Sequence, residues 1–159
     1  MIVTFAGLPA LRERHRAATI ALVGGVFDLL HPGHISLFRY AKQAADIVVV
    51  AVSSDARVKQ RKGIQRPIHD ENIRVQVVDA IRYADYSLIA PQPDGREPPT
   101  AQVMARLRPD LFLSPDQSWQ PISTELGIEL RVVPMFDGGT TTTRTIRKVV
   151  QVFSCADGA

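Results

Sequence analysis

A chain of 159 residues, 45% apolar and 22% charged, is long enough to bury a core and too apolar to stay disordered. Its net charge of +3 is scattered, and its two basic clusters (Arg12-Arg14-Arg16 and residues 57–66) lack interleaved aromatics, which argues against a nucleic-acid surface. No run is long enough to span a membrane, and the single cysteine, Cys155, has no internal partner, so a reduced cytoplasmic setting is expected.

Residues 8–16 read as a short amphipathic helix, so that residues 1–17 lead into the first strand. The N-terminus places apolar residues before arginines, the reverse of a secretory signal. An apolar run at 19–26 predicts a strand, and 32–45 a helix with Pro32 in its first turn. Residues 46–53 are a β-branched run of the kind found in a strand covered on both faces. The spacing of Ile73, Val77, Val78 and Ile81 predicts a helix over 70–83, followed by a strand at 86–90. Residues 91–99 are a proline-rich loop with Asp94-Gly95 as its turn. A helix at 100–107, strands at 110–113 and 129–133, and a last helix at 143–153 complete the pattern; 154–159 read as a frayed tail. Strands alternating with helices, in one domain over 1–159 with its core at about 18–150, predict a Rossmann-like, five-stranded, doubly wound parallel sheet. Ligands bind such sheets at the carboxyl ends of the strands, near the topological switch point.

The segment Gly24-Gly25-Val26-Phe27-Asp28-Leu29-Leu30-His31-Pro32-Gly33-His34 lies at such an end, between the first strand and the helix after it. A helix N-terminus offers unpaired N–H groups and partial positive charge to an anion, and Gly33 permits close approach. His31 and His34, three apart, share one helical face and can donate to one phosphate group. Histidines that merely cap the turn or pack in the core, or that bind a metal with Asp28, are the competing readings. G-x-G-x-x-G spacing and a P-loop are both absent, which argues against a dinucleotide oxidoreductase and against kinase chemistry.

The run from Gly25 to His34 resembles the signature of the cytidylyltransferase-like nucleotidyltransferases. Two further blocks extend the resemblance: Ser54-Asp55-x-x-Val58-Lys59-x-x-Lys62-Gly63-x-x-Arg66-Pro67 with Arg74, and Phe136-Asp137-Gly138-Gly139-Thr140-Thr141-Thr142-Thr143. In order and spacing the three are most similar to the nucleotidyltransferase domain of ADP-heptose synthases, with the glycerol-3-phosphate cytidylyltransferase pattern next. The resemblance implies transfer of a nucleoside monophosphate from ATP or CTP to a small phosphorylated acceptor, with a sugar 1-phosphate and ATP favoured. It also implies Mg²⁺ carried by the triphosphate and a homodimer.

By that resemblance His31, His34 and Lys59 are the catalytic residues. Gly25, Val26, Phe27, Asp28, Arg74, Thr141, Thr142 and Thr143 are the nucleotide-binding ones, with no protein metal ligand. Phe27 fits a core or shelf position, and Asp28 can orient the turn through backbone bonds. Lys62 is the second choice for the lysine, whose alternative is a solvated basic loop. The chain departs from the family at Ser114-Pro115-Asp116-Gln117-Ser118-Trp119-Gln120-Pro121, where a glycine-rich loop is the rule. Asp116 and Trp119 are the candidates there for the base or acceptor side. This altered loop is the one feature that favours a nucleotide-binding or regulatory protein without turnover.

Overall fold

The computed structural model describes residues 1–134 and 141–154. Its elements are α1 (Leu8–Arg14), β1 (Ile20–Gly25), α2 (Pro32–Ala44), β2 (Ile47–Val52), α3 (Asp55–Lys62), α4 (Glu71–Asp79) and β3 (Tyr86–Ile89). They continue with α5 (Pro99–Leu107), β4 (Leu111–Ser114), α6 (Gln120–Glu125), β5 (Glu129–Val132) and α7 (Thr142–Ser154). The strands form one sheet in the order β3-β2-β1-β4-β5, with every pairing parallel. Order reverses between β1 and β4, which makes the carboxyl end of β1 the switch point.

Strand alternation decides which side chain serves which face. Ile20 and Leu22 of β1, with Val49 and Ala51 of β2, face α1 and α5. Ala21 and Val23, with Val48 and Val50, face α2 and α4. Each fully buried aliphatic chain contributes about 1.5–3 kcal/mol relative to exposure. Because β1 and β2 are covered on both faces, their sequences read as unbroken apolar runs. The outer edge of β3 is paired by the N-terminal segment, where the Val3 N–H donates to Ser87 O and the Ser87 N–H to Met1 O.

Two helices stand where the sequence pattern predicts loops. Helix α3 begins at Ser54, carries Asp55 in its first turn and Lys59, Arg61 and Lys62 in its last, and stops at Gly63 with φ of 91°. Those charges complement the helix dipole and the glycine accepts a conformation other residues resist. Helix α6 and a short 3-10 turn (Gln117–Trp119) occupy the segment after β4. Helix α4 ends at Asp79, and the predicted extension to residue 83 is a series of turns, with Ile81 N–H bonding Val78 O and Ala84 N–H bonding Ile81 O. Gly138, Gly139 and Thr140 of the late motif, together with Cys155 and the rest of the tail, lie outside the described residues.

Candidate active site

A pocket of about 260 Å³ opens at the switch point. Its walls come from β1 (Gly24, Gly25), the turn and head of α2 (Phe27, His31, Gly33, His34), and the end of α3 (Lys62). The segments after β4 and β5 add Pro115, Val133 and Pro134, and Thr141 to Thr143 close it at the head of α7.

The rings of His31 and His34 stack with centroids 3.7 Å apart and planes 28° from parallel. His31 occupies the N-cap of α2 in an extended conformation and makes no side-chain capping bond. Both Nδ1 atoms are buried without a hydrogen-bond partner among the described residues. Burial lowers the pKa of His34 to about 4, helped by the proximity of His31 and Lys62. Burial also lowers that of His31. Two neutral imidazoles, each with one N–H to offer, therefore face the pocket at neutral pH.

Phe27 forms the shelf beneath them. It sits in the left-handed region (φ 52°) and is 3% exposed, with its ring edge-on to His34 at 5.3 Å and to Phe38 at 5.1 Å. The ring fills the space a side chain on Gly25 would need: a Cβ there would lie 2.6 Å from Phe27 Cζ. Gly25 thus lets the aromatic shelf close over the strand end.

Asp28 points into the protein. Its carboxylate accepts from Arg66 Nε at 3.0 Å and from the N–H groups of Ile68 and His69, and Arg66 Nη2 completes the ion pair at 2.8 Å. Burial alone would raise its pKa, but those donors outweigh it and hold the carboxyl below the usual range. Asp28 is therefore a loop anchor turned away from the pocket lining, in place of the nucleotide contact expected of it. Val26 also lies outside the pocket lining, and its carbonyl accepts from Arg74 Nη1.

Arg74 requires the same kind of correction. It is 1% exposed, does not line the pocket, and acts as a brace, donating to His69 O, Val26 O, Ser53 O and Asp55 Oδ1. A guanidinium so occupied has no face to turn to a triphosphate. It instead ties the carboxyl ends of β1 and β2 to the start of α4.

Of the two lysines, Lys62 lines the pocket and Lys59 does not, reversing the order of preference. Partial desolvation, then the guanidiniums of Arg66 and Arg61, lowers the Lys62 pKa. After β4, only Pro115 of the divergent stretch reaches the pocket. Asp116 is exposed and caps the 3-10 turn through the Ser118 N–H. Trp119, partly buried, packs edge-on against Phe112, centroids 5.4 Å apart, at the margin of the core cluster that includes α5. Neither lines the pocket, where the base or acceptor side was expected of them.

At the head of α7, Thr141 Oγ1 accepts from the Arg144 N–H as a helix cap, and Thr142 Oγ1 donates to Leu29 O. The second bond moors α7 to the turn that carries the histidines. The residues missed by sequence reasoning are Leu37, Pro115, Val133 and Pro134 in the wall, and Arg66, which pairs with Asp28. Leu37, one turn after His34 on the same helix face, carried a readable signal. Among the described residues no three histidine, cysteine or acidic side chains are grouped to hold a metal, and no helix is long and apolar enough to cross a membrane.

The cytidylyltransferase-like family model matches residues 22–147, which spans all of these walls. The chain belongs to that family. It is 32% identical to the bifunctional protein HldE of Paramagnetospirillum magneticum, over 92% of this chain and 30% of HldE. It thus spans about a third of that relative's length. It is also 32% identical to an FAD synthase of Pyrococcus abyssi, over 83% of this chain and 93% of the relative. Among solved structures, a lipopolysaccharide core biosynthesis protein from Thermoplasma volcanium GSS1 superposes with a TM-score of 0.62 at 26% identity, over 75% of this chain and 97% of that one. A pantothenate synthetase from Thermus thermophilus shares the fold at 18% identity, TM-score 0.65, over 91% of this chain and 66% of that one.

Proposed function

We propose that this protein transfers a nucleoside monophosphate, AMP in preference to CMP, from the triphosphate to a small phosphorylated acceptor. A sugar 1-phosphate such as a heptose 1-phosphate is the favoured acceptor. An oxygen of the acceptor's phosphate attacks the α-phosphorus in line. A P–O bond forms there, the bond to the bridging oxygen breaks, and pyrophosphate leaves. The attacking oxygen is already anionic, so no strong base is needed, and the barrier lies in bringing anions together.

The observation that carries this reading is the stacked, neutral pair His31 and His34 facing a pocket that Lys62 also lines. The imidazole N–H groups would stabilise charge on the α-phosphate, and Lys62 would bridge the incoming and reacting phosphates. The head of α7 would take the β- and γ-phosphates, where first-turn N–H groups and the helix dipole favour an anion. Mg²⁺ would enter with the triphosphate, held by phosphate oxygens and water, and would neutralise charge on the leaving group. Similarity to HldE and to an FAD synthase supports ATP as the donor, because FAD itself contains an adenylyl group.

Pyrophosphate release with Mg²⁺ and either ATP or CTP, each against heptose 1-phosphates, other sugar 1-phosphates and glycerol phosphate, tests the proposal. Acceptor-dependent release identifies base and acceptor together. Nucleotide binding without release across the panel would favour a binding protein that lacks turnover.

A further inference from the structure

The loop between Lys62 and α4 has little to hold it in place by packing. It leaves α3 through Gly63 at φ 91°, and its two isoleucines face solvent, Ile64 at 77% exposed and Ile68 at 52%. Its anchors are polar instead, and they converge on one carboxylate. Asp28, whose side chain is 1% exposed, is met by both Nε and Nη2 of Arg66 and by the N–H groups of Ile68 and His69. Asp28 follows Phe27, whose ring touches His34, and precedes His31 by one turn of chain. A bond to Asp28 is therefore a bond to the segment that carries the histidines. At the other end, Arg66 lies four residues after Lys62, the last residue of α3, with Gly63 between them.

We propose that the Asp28–Arg66 pair is a clasp that holds Lys62 over the His31–His34 pair, which makes Arg66 a positioning residue for nucleotidyl transfer. The kinetic part of the claim rests on the proposed function; the geometric part does not. A buried ion pair is a poor source of net stability, since apolar replacements of matching shape are often as stable, so its value here lies in geometry. The planar guanidinium suits that task because its fork fixes direction as well as distance. Arg74 braces the same loop from behind, through His69 O, and its other donors run to Val26 O and Ser53 O, just past β1 and β2, and to Asp55 at the head of α3.

The test is a set of variants: Arg66→Met, Arg66→Lys, Lys62→Met and the Lys62→Met/Arg66→Met double. Arg66→Met should lower kcat about 10- to 100-fold, the cost of a small misplacement of a catalytic group, while ATP affinity changes far less. Arg66→Lys, which keeps the charge without the fork, should fall between, and serves as the readout if Arg66→Met does not fold. In the Lys62→Met background, removing Arg66 should cost nothing more. Independent losses that multiply in the double variant would overturn the proposal.

A second readout needs no turnover. The His34 imidazole, titrated by NMR in the free protein, should move up from its value of about 4 when the clasp opens and Lys62 withdraws. Lys62→Met should give a similar rise, with no further rise in the double. If the wild-type protein transfers no nucleotide, the proposed function fails while this titration still decides the clasp. An unchanged His34 titration in both Arg66 variants would overturn it.

Discussion

His34 and His31 face one another ring to ring at 3.7 Å, a distance at which two imidazolium cations would repel strongly. The pair is compatible with its surroundings because both rings are held neutral by burial. Their polarity can then be spent on an anion entering the pocket, and each prediction below turns on that pocket.

Replacing His34 by alanine should remove one donor from the site of charge development. Turnover is expected to fall about 10²- to 10³-fold, as for loss of one oxyanion donor. ATP affinity, measured by calorimetry, should fall much less. Equal losses in both would make His34 a ground-state binding residue.

The depressed pKa of His34 has two consequences of opposite sign. An unfolded imidazole titrates at 6.5 and the folded one at about 4, so between these values the unfolded chain binds more protons. The group's contribution to stability is complete above 6.5 and is lost as pH falls towards 4, by at most about 3 kcal/mol. A bound triphosphate does the reverse, because its charge favours imidazolium. Nucleotide binding at about pH 5.5 should take up protons and tighten relative to neutral pH. Calorimetry in buffers of different ionisation enthalpy reads this directly, and zero uptake would place the ring away from the phosphates.

Lys62 and Lys59 stand one helical turn apart with different surroundings. Lys62→Met is expected to lower kcat about 100-fold. Lys59→Met, outside the pocket lining, should stay within about threefold. Steady-state kinetics of the two variants side by side would reverse the assignment if the losses were exchanged.

Trp119→Ala should act on stability and leave recognition alone. Losing its contact with Phe112 is expected to cost about 2 kcal/mol, read from a denaturant midpoint. The KM for nucleotide and for acceptor should be unchanged. A raised KM would return Trp119 to the site.

The parallel sheet was legible because strands covered on both faces are written as long β-branched runs, as in residues 47–52. The histidine turn was legible because its chemistry sits in one contiguous segment. Helix α3 was not, since Ala56 and Val58 are its only apolar residues and make no stripe; its start at Ser54-Asp55 and its stop at Gly63 were the signals available. Once α3 is a helix, Lys59 and Lys62 stand one turn apart along it, and the choice between them becomes one of which turn reaches the pocket, which no count along the sequence decides. Arg74 and Asp28 matched the motif, and their partners are largely backbone atoms of Val26, Ser53, Ile68 and His69. Such partners carry no sequence signature. The same holds for Trp119, whose contact with Phe112 depends on how α6 folds back.

Two of the residues that close the pocket after β4 and β5, Pro115 and Pro134, are prolines. Proline has a carbonyl and no N–H, so at these positions the main chain can accept a hydrogen bond but never give one. Under the proposed function, a base resting against these prolines would be selected by the protons it presents. Adenine and cytosine bring an exocyclic amine to the edge where guanine and uracil bring a carbonyl, and GTP and UTP should accordingly bind more weakly than ATP and CTP in a direct titration. Discrimination of this kind would be a matter of grammar: two positions of the wall can only listen for donors, and substituting either proline by alanine would give it a voice.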